Sequence, residues 1–173
     1  MDFSLPQAYL VGLLVILGGA AVLVARQILR VRRDEVALIR LEQSSKTGEQ
    51  SAADFYELAS VQLRKRLYGQ AIDNLKLASK CSAAEPPEAQ ALIENALGFA
   101  LAAQSNYGAA IKHYRAALRA KADYPVALNN LAFALEKQQK PEEAKENYLK
   151  VLELDSSNGT AKKRLKRLER TAA

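Results

Sequence analysis

The strongest constraint on this chain is that one stretch is written twice. Residues 91–124 and 125–158 align without a gap at an offset of 34, setting Leu97-Gly98 over Leu131-Ala132, Phe99 over Phe133, Leu101 over Leu135, Ala110 over Ala144 and Tyr114 over Tyr148. Ala117 and Leu118 then fall over Val151 and Leu152. A fixed period of that length marks a helix-turn-helix solenoid, because so short a unit cannot bury its own apolar face and must stack on a neighbour. Small residues stand where two helices would cross: Gly98 with Ala110, and Ala132 with Ala144. Leu97/Leu131 and Tyr114/Tyr148 are the knobs that a close crossing admits. A third copy, 52–83, offers Phe55, Leu58-Ala59, Ala71, Leu75 and Ala78 at the same relative positions. An insertion precedes the second copy, since Ala71 and Ala110 lie 39 apart.

These residues resemble the tetratricopeptide repeat family, whose pattern runs aromatic, Leu-Gly/Ala, Tyr, then Ala, aromatic, Ala, Pro. Phe55 keeps the first aromatic, which becomes Glu94 in the middle copy and Leu128 in the last. The late proline is replaced by Ala83, Ala122 and Ser156. The resemblance implies an all-α fold: a right-handed α-solenoid of three repeats closed by a C-terminal capping helix. Composition agrees with ordered helix, with 6% aromatic residues and no Trp. One Cys, Cys81, rules out an internal disulfide, and with one His, His113, it argues against a metal site.

Upstream of the repeats, Leu5–Ala25 is a run of 21 residues without a charged side chain. As a helix it spans about 30 Å, the thickness of a bilayer's hydrocarbon core. A cleavable signal peptide would carry its positive charges before the apolar run, whereas here Asp2 precedes it and Arg26, Arg30, Arg32 and Arg33 follow. The reading is a single transmembrane helix, its arginines held on the cytoplasmic or stromal side and the N-terminus on the lumenal or periplasmic side. The expected layout is then an anchor with basic flank (1–33), a juxtamembrane segment and linker (34–50), three repeats (52–83, 91–124, 125–158 within 51–158), and a basic capping helix and tail (159–173). Gln43–Gln50, with its Ser, Thr and Gly, reads as a flexible linker. Ser51 with Asp54 suits a capping box, Pro87 and Pro141 suit helix starts, and Asp123 suits a cap for the helix after it.

The formal net charge of +6 is unevenly spread. Four positives follow the apolar run and six lie in Lys162–Arg170 against Glu169, so the remainder is negative. A nucleic-acid binder would carry its cations along the repeat surface, and none is expected here. In the last segment Ala161, Leu165 and Leu168 share a side, which suits a helix that covers the solenoid's open end. Its Lys162, Lys163, Arg164, Lys166 and Arg167 also form a candidate contact surface for an acidic partner or anionic lipid.

No stretch supplies a phosphate loop, a nucleophile elbow or a His at motif spacing from a Cys or Ser, so no catalytic residue, cofactor or metal is expected. His113 reads as an exposed helical histidine. What remains is a groove. In stacked repeats of this type the first helix of each unit lines the concave face, with Tyr56 and Ser60, Asn95 and Phe99, and Asn129 and Phe133 pointing in. The amides suit the backbone of an extended segment and the rings supply apolar area; the alternative for the rings is packing between repeats. Some members of the family hold an acidic chaperone C-terminus with cations in this groove. The matching positions here, Tyr56, Ser60, Asn95, Val126 and Asn130, include no cation, so that clamp is absent.

Taken whole, the chain resembles the family of small membrane-anchored tetratricopeptide proteins of cyanobacteria and plastids that assist photosystem I assembly. The resemblance implies a thylakoid location and photosystem I subunits or assembly factors as partners. A receptor or adaptor for targeting peptides or chaperones is the alternative. Oligomeric state is open.

Overall fold

The computed structural model describes residues 5–44 and 51–172. Among them there are no strands. The helices run α1 (Leu5–Ser44), α2 (Ala52–Arg64), α3 (Tyr68–Cys81), α4 (Pro87–Ala103), α5 (Tyr107–Ala120), α6 (Pro125–Lys137), α7 (Pro141–Leu154) and α8 (Gly159–Ala172). A single 3-10 turn, Ser82–Ala84, occupies the insertion between the first and second repeats. There Ser82 is buried and its hydroxyl donates to the Ser79 carbonyl at 2.8 Å.

Local chemistry explains where the helices begin. Ser51 and Asp54 form a reciprocal capping box: the Asp54 N–H donates to Ser51 Oγ at 3.2 Å and the Ser51 N–H to Asp54 Oδ2 at 2.9 Å. Pro87, Pro125 and Pro141 each stand at the first helical position, where a missing N–H leaves no bond unmade. Asp123 does not cap α6, contrary to expectation. Tyr124 occupies that place without a side-chain bond, and the fixed φ of Pro125 starts the helix instead.

The turns between paired helices share one device. Arg66, Ser105 and Gln139 sit at φ 60°, 63° and 58°, and the residue after each donates back across the turn: Leu67 N–H to Gln62 O at 2.9 Å, Asn106 N–H to Leu101 O at 2.9 Å, and Lys140 N–H to Leu135 O at 3.0 Å. This is the left-handed helix termination that glycine ordinarily fills, made three times without one.

Each helix from α2 to α8 packs on the next, so the stack grows in chain order and its core lies between successive layers. Tyr114 and Tyr148 are its largest buried side chains. A methyl group on Gly98 would stand 2.7 Å from the Tyr114 ring, so the close crossing inferred for that glycine is present. One period on, Ala132 and Tyr148 pack in the corresponding place.

α1 contains the one stretch among the described residues that is long and apolar enough to cross a membrane, Tyr9–Arg33, with a mean hydropathy of 2.2 and no part of it buried against the protein. The helix does not break after the arginines but continues to Ser44, so Gln43 and Ser44 belong to it; the remainder of the expected linker lies outside the described residues. Beyond the apolar stretch, α1 packs against α2, and Glu35 pairs with Lys65 at 3.7 Å.

Candidate protein-interaction groove

The first helices of the three repeats are α2, α4 and α6, and α8 falls one further period on. Lys163 follows Asn129 by 34 residues, Arg164 follows Asn130, Arg167 follows Phe133 and Arg170 follows Glu136. The capping helix therefore carries the groove positions onward, with cations in place of amides and rings. Thr160, Lys163, Arg164, Lys166, Arg167 and Arg170 line a depression of about 690 Å³ on it. Sequence reasoning singled out four of these and missed Thr160 and Arg170, which carrying the period past Asn158 would have found. Lys162 does not line the depression.

The expected amide ladder is present but largely spent within the protein. Asn130 Nδ2 donates to Asn95 Oδ1 at 3.0 Å, and Asn95 Nδ2 points at the Tyr124 hydroxyl at 3.4 Å. In the next layer Asn129 Nδ2 donates to Asn158 Oδ1 at 3.3 Å. These bonds tie the start of one repeat to the end of the same repeat and to the next. Asn129 Oδ1 is buried and has no partner. By period its donor would come from residue 164, the counterpart of Asn130, but Arg164 is turned elsewhere. In the first repeat, Ser60 spends its hydroxyl on the Tyr56 carbonyl at 2.8 Å.

The two phenylalanines have separate fates. Phe99 is 44% exposed. Phe133 is partly buried and covered: the Tyr107 ring meets it edge-on at 6.4 Å, the Arg164 guanidinium lies 4.8 Å from its centroid and the Lys137 ammonium 5.5 Å. The same arginine joins a second cluster. Tyr148 donates its hydroxyl to Glu136 Oε1 at 2.6 Å, while Glu136 Oε2 pairs with Arg164 at 3.6 Å and with Arg167. Burial first, then the bond to Glu136, push the Tyr148 phenol well above its ordinary range, so it stays a donor. α8 is thus clamped to α6 and α7 by charge as well as by the buried Ala161 and Leu165. Arg164 and Arg167 serve that clamp; Lys163, Lys166 and Arg170 are exposed beside it.

His113 differs from its expected role as an exposed histidine. Its Nδ1 lies 2.7 Å from Glu94 Oε2, and Ser79 donates to Glu94 Oε1 at 2.6 Å. Glu94 stands where the family has an aromatic, and its carboxylate has converted that wedge into a polar junction of α3, α4 and α5. Burial raises the Glu94 pKa, but the bonds to His113 and Ser79 and the charges of His113 and Arg119 outweigh it and hold the carboxyl below its ordinary value.

Residues 125–158 match the tetratricopeptide repeat family. An uncharacterised ycf37 protein of Guillardia theta is 32% identical over 165 residues, covering 95% of this chain and 93% of that one. The chloroplastic tetratricopeptide protein PYG7 of Arabidopsis thaliana is 30% identical over 164 residues; the match takes in 94% of this chain and 54% of PYG7's length. Among solved structures, the first repeat domain of Spaghetti (RPAP3) bound to an HSP90 peptide, SRMEEVD, superposes with a TM-score of 0.66 at 22% identity, over 72% of this chain and 95% of that domain. At that identity the likeness is one of fold. Coverage of nearly the whole length of both proteins in the first comparison settles kinship: the chain belongs to the ycf37 family of tetratricopeptide repeat proteins.

Proposed function

We propose that the protein is a membrane-tethered docking scaffold whose groove holds acidic, extended segments of protein partners, and that it serves photosystem I assembly in a thylakoid membrane. One observation carries the docking site: the groove positions run past the exposed ring of Phe99 and end in a cationic depression on α8. Extended acidic chain suits such a surface, because the Phe99 ring offers apolar area while Lys163, Lys166 and Arg170 offer charge. The apolar stretch of α1 and the chloroplastic relative support the membrane and the organelle. The resemblance to photosystem I assembly proteins supports the partner class, with subunits or assembly factors as the bound species. The chemistry of this reading is recognition of protein segments.

Crosslinking in native photosynthetic membranes, followed by identification of the trapped chains, tests the reading. Photosystem I subunits or their assembly factors are expected. A Lys163→Glu/Arg170→Glu variant should lose them, whereas Lys162→Glu, outside the depression, should keep them. Equal capture by all three proteins would overturn the groove as the docking site.

A further inference from the structure

The ion pair between Glu35 and Lys65 sets the level on α1 at which α2 ends. Lys65 caps the C-terminal end of α2, some 20 Å of helix from its start. A chain that passed Ser44 and ran onward would carry Lys65 far from Glu35. The pair, with the packing of α1 on α2, instead brings the end of α2 back to a level nine residues short of the end of α1, nearer the apolar stretch.

The height of that turn follows from the helical rise. Ala25, the last residue of the uncharged run, precedes Glu35 by ten positions, about 15 Å along α1. A headgroup layer takes about 6 Å of this. What is left is close to one Debye length at physiological salt, about 8 Å, and any tilt of α1 shortens it. Arg66 and Leu67 follow Lys65 directly, at the same turn.

The residues brought to this level suit a lipid surface. Arg32 and Arg33 on α1 and Arg64, Lys65 and Arg66 at the turn outnumber the neighbouring Asp34 and Glu35 five to two, although these two groups of cations are some thirty residues apart in the chain. Arg66 is exposed and held at φ 60°. Leu67 is 38% exposed and Tyr68 follows it, an apolar and an aromatic side chain of the kind that settles among headgroups. In the same register the second turn, Ala103-Gln104-Ser105-Asn106, carries no charge, and the third, Lys137-Gln138-Gln139-Lys140, carries two. The turn beside α1, with three, is the most cationic.

We infer that the first turn docks on anionic lipid headgroups, setting the first repeat with α2 and α3 across the membrane plane and the opposite loops facing outward. The inference rests on α1 crossing the membrane, as proposed above. Each Lys or Arg held near such a surface multiplies local partitioning about five-fold. Two or three of them suffice to bias orientation in a protein already confined by an anchor.

The molecule offers its own far reporter. Cys81 is exposed at the other end of α3, eleven residues from Gln70 and about 16 Å away along the helix. The full chain is labelled with a fluorophore at Cys81, or at position 70 in a Gln70→Cys/Cys81→Ser variant. Each is placed in nanodiscs of mixed phosphatidylcholine and phosphatidylglycerol that carry a headgroup-attached quencher. Quenching is expected to be several-fold stronger at position 70. Arg64→Gln/Arg66→Gln should abolish the difference while helix content and Tm persist, since glutamine already occupies the equivalent left-handed site at Gln139. Phosphatidylcholine discs in high salt should abolish it too. Equal quenching at the two positions in a disc-bound protein, or a difference that survives the charge removal, overturns the docking of the turn. Failure of the chain to float with discs at all overturns the membrane reading of α1, a separate and visible outcome.

Discussion

At the scale of single residues, the crossing of α4 and α5 depends on an absent methyl group. A Cβ at position 98 would meet the Cε1 and Cδ1 atoms of Tyr114 at 2.7 and 2.8 Å, and that ring is buried on all sides. Gly98→Ala is therefore expected to lower stability by about 1–3 kcal/mol, the usual cost of overpacking, despite alanine's better helix propensity. Thermal melting followed by circular dichroism checks it, and an unchanged or raised Tm would contradict the close crossing. Glu94 gives a pH prediction. Its carboxyl titrates below its ordinary value of 4.5 in the fold, so its contribution is intact above that value and lost as the pH falls through the lower, folded one. Tm should decline steeply over about pH 5 to 3, and Glu94→Gln should flatten that decline while costing about 1–3 kcal/mol at neutral pH. The glycine was legible in the sequence because its partner at the crossing recurs 34 residues later. Glu94 was noticed only as a departure from the family pattern. Its junction with His113 and Ser79 joins three helices, and no spacing within one repeat announces it.

At the scale of the element, the paired helices were legible because the 34-residue period, the capping box and the opening prolines all act locally. The left-handed residues that close their turns were not, since no glycine marks them. Arg66, Ser105 and Gln139 hold a left-handed conformation that costs a residue with a Cβ about 1–2 kcal/mol. Replacing Ser105 or Gln139 with glycine should raise stability by about 0.5–1 kcal/mol after glycine's larger unfolded-state entropy is subtracted, readable as a shifted denaturant midpoint. The groove was half legible. Its positions follow from the period, but whether an amide faces a ligand or a neighbouring repeat depends on contacts such as Asn95 with Asn130, 35 residues apart. Phe99 and Phe133 show the same limit: identical by period, they differ because α8 brings Arg164 over one of them.

At the scale of the whole molecule, a 40-residue helix carries the candidate span without a break as far as Ser44 and packs against the first repeat. If confinement is what the apolar segment provides, its exchange for a soluble leader removes effective concentration but leaves each contact intact. Assembly measured in cells should then fall well below the level that binding measured in solution would suggest; equal losses in both would reject the tether. The far end of the stack has a different consequence. Because Gly159 continues the register of Pro125 and α8 seats on α7 as α6 seats on α5, the lid is addressed to any unit of this pattern rather than to the last one alone. A duplicate of residues 125–158 spliced ahead of Gly159 would meet familiar neighbours on both sides, so the molecule is built to be lengthened by copying.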